Sequence, residues 1–188
     1  IDQMGRYSYK NQPEIIKWNL ACLASSLLPL IDGDENTAIK YAQDSIDGMH
    51  EIYNKYWLDN FRCKLGLENK LSGDKVLIEN LLSIMEKNHI DFTIMFRELS
   101  SLDNENSLLN STQDLKIWKA KYFDRLNNES RSNEEISKKM KLINPIYIPR
   151  NHIIENIIKK AIQKDYSEFN LFNEALSNPY TSKKNFNK

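Results

Sequence analysis

Glycine and proline are scarce in this chain of 188 residues, which contains five of each. Because both residues interrupt regular structure, a chain with so few of them has few obligatory breaks, and long helices are favoured over many short strands. No glycine-rich phosphate loop of the P-loop or kinase type is present. A backbone cradle for a triphosphate is therefore hard to build from this sequence.

A surplus of charge of one sign is also lacking. The 26 basic and 26 acidic residues give a net charge of zero, whereas nucleic-acid binding through phosphate neutralisation needs a basic surplus or a concentrated basic stripe. No apolar run approaches the length of a membrane span, since residues 20–31 are too few and include two serines. No signal-peptide pattern is seen. We expect neither a nucleic acid nor a membrane as a partner.

Cysteine is limited to Cys22 and Cys63. Two cysteines do not make a secreted disulfide framework, and neither has a second Cys or a His at zinc-binding spacing. Both fall in predicted helices, so we expect buried thiols in a reducing, cytoplasmic compartment. A disulfide between them is the alternative, and a nucleophilic pairing of Cys with His also stays open.

Metal and catalytic sites are not evident. Asp32-Gly33-Asp34-Glu35-Asn36 has oxygens at alternate positions, as in a calcium loop, but its glycine is misplaced and the twelfth position is Gln43, not Glu. We interpret it as a turn between helices. His50, His89 and His152 are too scattered to form a metal set, and we expect them at the surface or at helix caps. No catalytic, cofactor-binding or metal-binding residue is predicted.

The residues that are present favour an all-α fold of about eight helices. Hydrophobic residues make up 40% of the chain and aromatic residues 10%, which argues against general disorder. Apolar residues recur at helical spacing along most of the sequence. In the first predicted helix they form a stripe that we expect to be buried, composed of Ile16, Leu20, Leu23 and Leu27.

Several residues predict where helices begin and end. Pro29 and the following Asp32-Gly33-Asp34 are expected to end the first helix, and Gly66 to provide a left-handed stop for the second. Ser72 or Asp74, then Asp91 and Thr112, are expected to cap later helices. Gly48, in the middle of the second helix, predicts a closely packed neighbour.

The second half alternates helices with polar linkers. Residues 103–113 predict a surface connection or lid, and Asn144-Pro145-Ile146-Tyr147-Ile148-Pro149 must be extended because residues before proline avoid the helical region. We predict a helical region over residues 1–180 and a disordered tail over residues 181–188. The one basic concentration is a solvated helix face or, alternatively, a docking surface for an acidic protein substrate; it comprises Lys138, Lys139, Lys141, Arg150, Lys159, Lys160 and Lys164.

Short motifs occur in one order along the chain. The first is Gly5-Arg6-Tyr7-Ser8-Tyr9-Lys10-Asn11-Gln12-Pro13, followed by Trp18-Asn19-Leu20 and Leu27-Leu28-Pro29-Leu30-Ile31. Then come Phe61-Arg62-Cys63-Lys64-Leu65-Gly66-Leu67, Asp91-Phe92-Thr93, Phe96-Arg97 with Leu99, Asn144-Pro145, Arg150-Asn151 and Asn178-Pro179-Tyr180. Together they resemble the selenoprotein O (SelO) family, kinase-like proteins that transfer AMP from ATP onto protein hydroxyls.

The resemblance covers the C-terminal part of the family. It implies an irregular multi-helix bundle that forms the C-terminal helical part of a kinase-like SelO fold, with the nucleotide-binding, catalytic and metal-binding residues upstream of Ile1. ATP and Mg²⁺ or Mn²⁺ are the cofactors of the parent family, and we expect none to bind this chain alone. The family's cysteine or selenocysteine near the terminus is missing from Asn185-Phe186-Asn187-Lys188.

The sequence therefore predicts the C-terminal helical part of a protein adenylyltransferase, inactive without the upstream kinase-like lobe. That lobe and protein substrates are the expected partners, and a first residue that is Ile and not Met is typical of a fragment. We expect the loop with Arg6, Tyr7, Asn11 and Gln12 to support the catalytic segment through packing and helix capping. The alternative is a non-enzymatic helical interaction module, left by gene truncation or splitting, that binds a partner through an exposed apolar surface.

Overall fold

The computed structural model of the chain describes residues 4–6, 8, 11–102 and 108–183. These residues form eight α-helices and no strand: α1 (Gln12–Ile31), α2 (Glu35–Lys64), α3 (Asp74–Lys87), α4 (Phe92–Leu99), α5 (Gln113–Leu126), α6 (Asn133–Ile143), α7 (Asn151–Ile162) and α8 (Ser167–Ser177). A short 3-10 helix, Leu108–Asn110, precedes α5. The prediction of an all-α fold is confirmed.

The chain divides into two compact units, residues 1–59 and residues 60–188. The first unit contains α1 and most of α2, and the second contains the remaining helices. The assignment of residues 1–180 to one helical region stays a prediction. Residues 103–107 of the predicted lid and residues 184–188 of the predicted tail lie outside the described part of the chain.

Side-chain caps begin several helices as the sequence predicts. The Asp91 carboxylate accepts a hydrogen bond from the Ile94 N–H at 2.8 Å and caps α4. Thr112 accepts from the Leu115 N–H at 3.2 Å and caps α5. The expected cap of α3 is wrong, because Gly73 occupies that position without a side-chain bond. Asp74 is turned inward instead, where its carboxylate meets arginines.

Gly66 ends α2 in the left-handed region, with φ +71°, as predicted. The Leu67 N–H donates to the Arg62 carbonyl at 2.9 Å. The Gly66 N–H donates to the Cys63 carbonyl at 3.1 Å. This pair of bonds is a Schellman motif, which satisfies carbonyls that the end of the helix would otherwise leave unpaired.

The second unit has a dense apolar core built from helices α3 to α6 and the end of α2. The indole N–H of Trp118 donates to the Leu77 carbonyl at 2.8 Å, which ties α5 to α3. The rings of Trp118 and Tyr122 stack with their centroids 5.0 Å apart. Fully or almost fully buried members of this core include Leu65, Ile78, Leu81, Met95, Phe96, Leu99, Leu115, Trp118, Tyr122, Ile136 and Met140.

The first unit differs from the sequence prediction in its burial. No residue of α1 is buried, and the predicted stripe is exposed, with Ile16 at 48% and Leu23 at 53% of full exposure. Periodicity identifies an apolar face, but it does not supply the partner that would cover it. In α2, Ala38 and Ala42 are buried while Tyr41, Ile52 and Tyr56 are exposed.

The predicted end of α1 at Asp32-Gly33-Asp34 is confirmed, since the helix ends at Ile31 with Asp32 as its C-cap, although Pro29 lies two residues inside it. Two further expectations for these helices are wrong. A Cβ added at Gly48 would have no neighbour within 4 Å, so no close packing requires a glycine there. Cys22 and Cys63 are exposed, not buried.

The helix α1 includes the whole apolar run of residues 20–31. The helix has 20 residues, and by length and composition alone it could cross a membrane. A helix from the core of a larger soluble domain passes the same test.

Candidate functional site

The predicted turn between the first two helices is confirmed at residues 32–34, whereas Glu35 and Asn36 already belong to α2. Asp32 accepts a hydrogen bond from the Asp34 N–H at 2.9 Å. The Asp34 carboxylate accepts from the N–H of Thr37 at 3.1 Å and from its hydroxyl at 2.7 Å, which lowers the pKa of Asp34. Within the described ranges, no group of three or more His, Cys, Asp or Glu side chains could hold a metal ion. The three histidines are exposed, as expected.

The motif residues of the second unit converge around Asn144, which is completely buried. Its amide nitrogen donates to the Lys64 carbonyl at 2.8 Å and to the Ser100 hydroxyl at 3.0 Å. Its backbone carbonyl accepts from Arg97 Nη1 at 3.0 Å. Asn144 therefore fastens the end of α2 and the end of α4 to the segment that follows α6.

Lys64 and Arg97 place two partly buried cations beside Asn144. The Lys64 ammonium lies 5.6 Å from the ring centroids of both Phe92 and Phe96 and 3.4 Å from Asn144 Oδ1. Burial lowers the pKa of Lys64 and the pKa of Arg97. Ring faces and carbonyl oxygens stabilise both charges here, so contacts within the chain account for these motif residues without a ligand.

A salt bridge joins two more motifs. Arg150 makes two hydrogen bonds to Asp91, from Nη1 to Oδ2 at 2.6 Å and from Nη2 to Oδ1 at 3.0 Å. The guanidinium holds the pKa of the Asp91 carboxyl below its usual range, and the carboxylate raises the pKa of Arg150. This pair connects the beginnings of α4 and α7.

The last motif closes the chain onto the extended connector between α6 and α7. The Pro179 carbonyl accepts from the Ile146 N–H at 2.7 Å and from the Tyr147 N–H at 3.3 Å. Between this connector, α7 and α8 lies an open groove of about 390 Å³. Its apolar lining includes Ile146, Ile148, Ile153, Ile157, Leu171 and Phe172.

A buried ionic network that the sequence pattern did not reveal is centred on Asp74, whose side chain is fully buried. Arg62 Nε and Arg125 Nε each approach one of its carboxylate oxygens at 2.7 Å. Burial alone would raise the pKa of Asp74, but the hydrogen bonds from Arg125, Arg62 and the Leu71 N–H outweigh it, and the pKa is lowered. In the sequence this network is visible only as one aspartate and two arginines that lie 12 and 51 residues away from it.

The same network locks two loops together. Arg125 Nη1 lies 2.9 Å from Glu129 Oε1, and the Glu129 carboxylate accepts from the N–H groups of Glu68 and Asn69 at 3.1 and 3.2 Å. Arg131 Nε approaches the Glu68 carboxylate at 3.0 Å. The loop after α2 is thereby held against the loop between α5 and α6.

The predicted basic concentration is partly neutralised within the chain. Arg150 pairs with Asp91, Lys139 with Glu68, and Lys160 with Glu168. The remaining members are spread over α6 (Lys138 and Lys141), α7 (Lys159) and the segment that follows α7 (Lys164). This favours the interpretation as a solvated helix face over a docking surface for an acidic substrate.

The N-terminal loop shows packing and local hydrogen bonds where it is described. The Arg6 guanidinium lies 4.8 Å from the Trp18 ring centroid, and the Asn11 amide donates to the Gly5 carbonyl at 2.9 Å. Asn11 precedes α1 without making a side-chain cap. Tyr7 lies outside the described residues. The cap was expected from Asn11 or Gln12; it is wrong for Asn11, and Gln12 is already the first residue of α1. The supporting role of this loop for a catalytic segment stays a prediction.

Several motif and network side chains of the second unit thus hold its helices to one another. Arg62, Arg125 and Arg150 face carboxylates of the same chain, and Asn144 and Arg97 are occupied by carbonyl oxygens. What this arrangement can do is fix the relative positions of the end of α2, α4, α5 and α7 in the second unit.

Known proteins resemble the chain over nearly its whole length. Residues 1–177 match the family described as "Protein adenylyltransferase SelO". The chain is 41% identical over 188 residues to "Protein nucleotidyltransferase YdiU" of Clostridium perfringens strain SM101, covering 100% of the chain and 38% of that protein. It is 42% identical over 181 residues to the proteins of the same name from Alkaliphilus metalliredigens and Geobacillus kaustophilus, covering 96% of the chain and 37% of each relative.

The chain spans less than two-fifths of the length of these curated relatives. It belongs to the SelO family of nucleotidyltransferases.

Proposed function

We propose that the chain is the C-terminal helical part of a protein adenylyltransferase that transfers AMP from ATP to Ser, Thr or Tyr hydroxyls of other proteins. In this proposal it supports a kinase-like lobe supplied by additional polypeptide, and it does not react with ATP on its own. The proposal rests on the family match over residues 1–177, which is made by a chain only 38% as long as the matched relative.

The chemistry of the described residues supports a scaffolding role. Phosphoryl-type transfer depends on cations and hydrogen-bond donors positioned around the phosphates. The arginines in the interior of the second unit are instead engaged by Asp74, Glu129 and Asp91. In this proposal the kinase-like lobe holds ATP and Mg²⁺ or Mn²⁺. The Ser, Thr or Tyr hydroxyl of a protein substrate accepts AMP at the same lobe.

A hybrid protein tests this proposal. Residues 1–188 of this chain replace the matched 188 residues of the Clostridium perfringens relative, and the unaltered relative is the positive control. We expect the hybrid to incorporate label from ATP labelled at the α-phosphate into protein, and the chain alone to incorporate none and to show no tight ATP binding by calorimetry. A folded but inactive hybrid, or AMP transfer by the chain alone, would contradict the proposal.

The second candidate function is a non-enzymatic interaction module in which a partner covers an apolar surface. The exposed side chains of α1 favour it, because large exposed apolar patches mark interaction sites. The gene neighbourhood distinguishes the two candidates. An upstream reading frame that encodes the kinase-like lobe favours a split enzyme, whereas its absence, together with a well-behaved monomer, favours the module.

A further inference from the structure

We infer that α1 is an internal helix of a larger domain, enclosed by the part of the full-length family protein that this chain does not contain. This inference rests on the proposed function, because that function supplies the additional polypeptide. The inference concerns the first unit alone. The surface that contacts the rest of the family protein is that of α1, and not the outer surface of the second unit.

The composition of α1 is that of an enclosed helix. Residues 20–31 contain no charged side chain, and Glu14 and Lys17 lie near the beginning of the helix. Leu20 and Leu27 lie on one side of the axis, and Leu28 is about 100° away from Leu27. A surface helix keeps a polar side, whereas a helix that is apolar on several sides is typical of an interior.

The exposure of α1 contrasts with this composition. Trp18 and Leu23 are 54% and 53% exposed, and Leu30 is 82% exposed. Each such side chain stabilises a soluble protein when it is completely buried. The apolar residues of the second unit already obtain this stabilisation, whereas those of α1 obtain little of it within residues 1–59.

The two serines of the apolar segment do not oppose enclosure. The Ser25 hydroxyl donates to the Ala21 carbonyl at 2.9 Å, and the Ser26 hydroxyl donates to the Leu23 carbonyl at 2.7 Å. Because both hydroxyl protons are used within the helix, an apolar neighbour would leave neither donor unpaired.

Three candidates could cover α1: a lipid bilayer, a second copy of the chain, and the remaining part of the family protein. The whole of α1 has 20 residues and could cross a bilayer by length and composition alone, but Glu14 and Lys17 lie near its beginning. The uncharged part, residues 18–31, is about 21 Å long, short of the roughly 30 Å hydrocarbon core. A second copy of the chain would cover α1, but it would not involve the more than half of each relative that lies outside the match. The family match includes α1, so the remaining part of the family protein is the occupant that explains both observations.

Cysteine labelling in the hybrid protein tests the inference, because Cys22 lies on α1 and is exposed in this chain. A Cys63→Ser variant leaves Cys22 as the only thiol of the chain, with the relative's own cysteines replaced by Ser. We expect Cys22 to react with a maleimide at least about tenfold more slowly in the hybrid than in the chain alone. The denatured hybrid, in which labelling should be complete, is the control.

A matched pair of substitutions provides a second measurement. Leu23 on α1 and Ile158 on α7 are 53% and 52% exposed in this chain, so contacts within the chain predict similar effects for Leu23→Glu and Ile158→Glu. We expect Leu23→Glu to lower the Tm of the hybrid by at least about 5 °C, and Ile158→Glu to lower it much less, because only the first places a charge in an enclosed site.

Several outcomes would overturn the inference. These are unchanged labelling of Cys22 in the hybrid, equal effects of the two substitutions, protection of Cys22 only when phosphatidylcholine vesicles are added, and protection in a dimer of the chain but not in the hybrid. The proposed function fails separately. A hybrid that protects Cys22 but transfers no AMP contradicts the function alone, whereas an active hybrid with accessible Cys22 contradicts the inference alone.

Discussion

Arg150 and Asp91 are joined by two hydrogen bonds of 2.6 and 3.0 Å across 59 residues of sequence. The same carboxylate accepts from the Ile94 N–H at 2.8 Å and caps α4. One aspartate therefore begins a helix and also holds the beginning of α7. Both side chains are about one-third exposed, so we expect the pair to contribute modestly to stability.

The Asp91 pair predicts a dependence of stability on pH. Because Arg150 lowers the pKa of Asp91, the contribution is fully present above the ordinary aspartate pKa and is lost as the pH falls through the lowered value. Asp91→Asn should reduce the free energy of unfolding at pH 7 by up to about 1 kcal/mol while retaining a capping side chain. Urea unfolding at about pH 7, 5 and 3 should show this difference shrinking in acid. A difference that is constant over this range would contradict the explanation.

Asp74→Asn should destabilise the second unit much more. The substitution keeps the shape of the side chain but removes the buried negative charge that faces Arg62 and Arg125, while Glu129 still pairs with Arg125. Breaking a buried ion pair typically costs about 3–5 kcal/mol, and we expect a loss toward the lower end of that range. Urea unfolding followed by circular dichroism measures this loss. Asp124→Asn, at an exposed position of α5, is the control and should change stability by less than about 0.5 kcal/mol. Equal effects of the two variants would rule out a special role for the Asp74 network.

Substitution of two glycines by alanine should have opposite effects. At Gly66, a new Cβ would collide with Ile136 Cγ2 and come within 2.9 Å of Met140 Sδ, at a backbone φ of +71°. We expect Gly66→Ala to cost about 2–4 kcal/mol. Gly48 lies within α2 with open space around it, so Gly48→Ala should stabilise its helix by up to about 1 kcal/mol. Thermal unfolding of both variants checks the signs, and a stabilising Gly66→Ala would refute the explanation from packing.

Tyr122→Phe isolates one buried hydrogen bond. The Tyr122 hydroxyl donates to the Leu65 carbonyl at 2.9 Å, and burial raises the pKa of this phenol. Removal of the hydroxyl leaves the carbonyl without this donor and should cost about 1–3 kcal/mol. Tyr166→Phe, at a position 55% exposed, is the matched control and should be nearly neutral. Denaturant midpoints with an unchanged m-value would show that only stability has changed.

Features that depend on neighbouring residues could be predicted from the sequence. The caps by Asp91 and Thr112 and the left-handed end at Gly66 involve atoms only a few residues apart, and all three are confirmed. The end of α1 at Asp32 was predicted in the same way, although Pro29 itself lies two residues inside the helix.

The contacts between motifs could not be predicted from neighbouring residues. Asp74 meets Arg125 from 51 residues away, and Asn144 meets Lys64 from 80 residues away. Sequence spacing carries no information about such pairs, so the motifs identified the family without revealing that several of them fasten helices together.

Periodicity and helix propensity by themselves determined that this chain is all-α and where most of its helices begin and end, and its short motifs determined the family. Only the tertiary structure decided which apolar faces are covered and which charges are paired. The physical reason is that helix formation is governed by residues three or four positions apart, whereas burial and ion pairing depend on whichever distant segment folds against that helix.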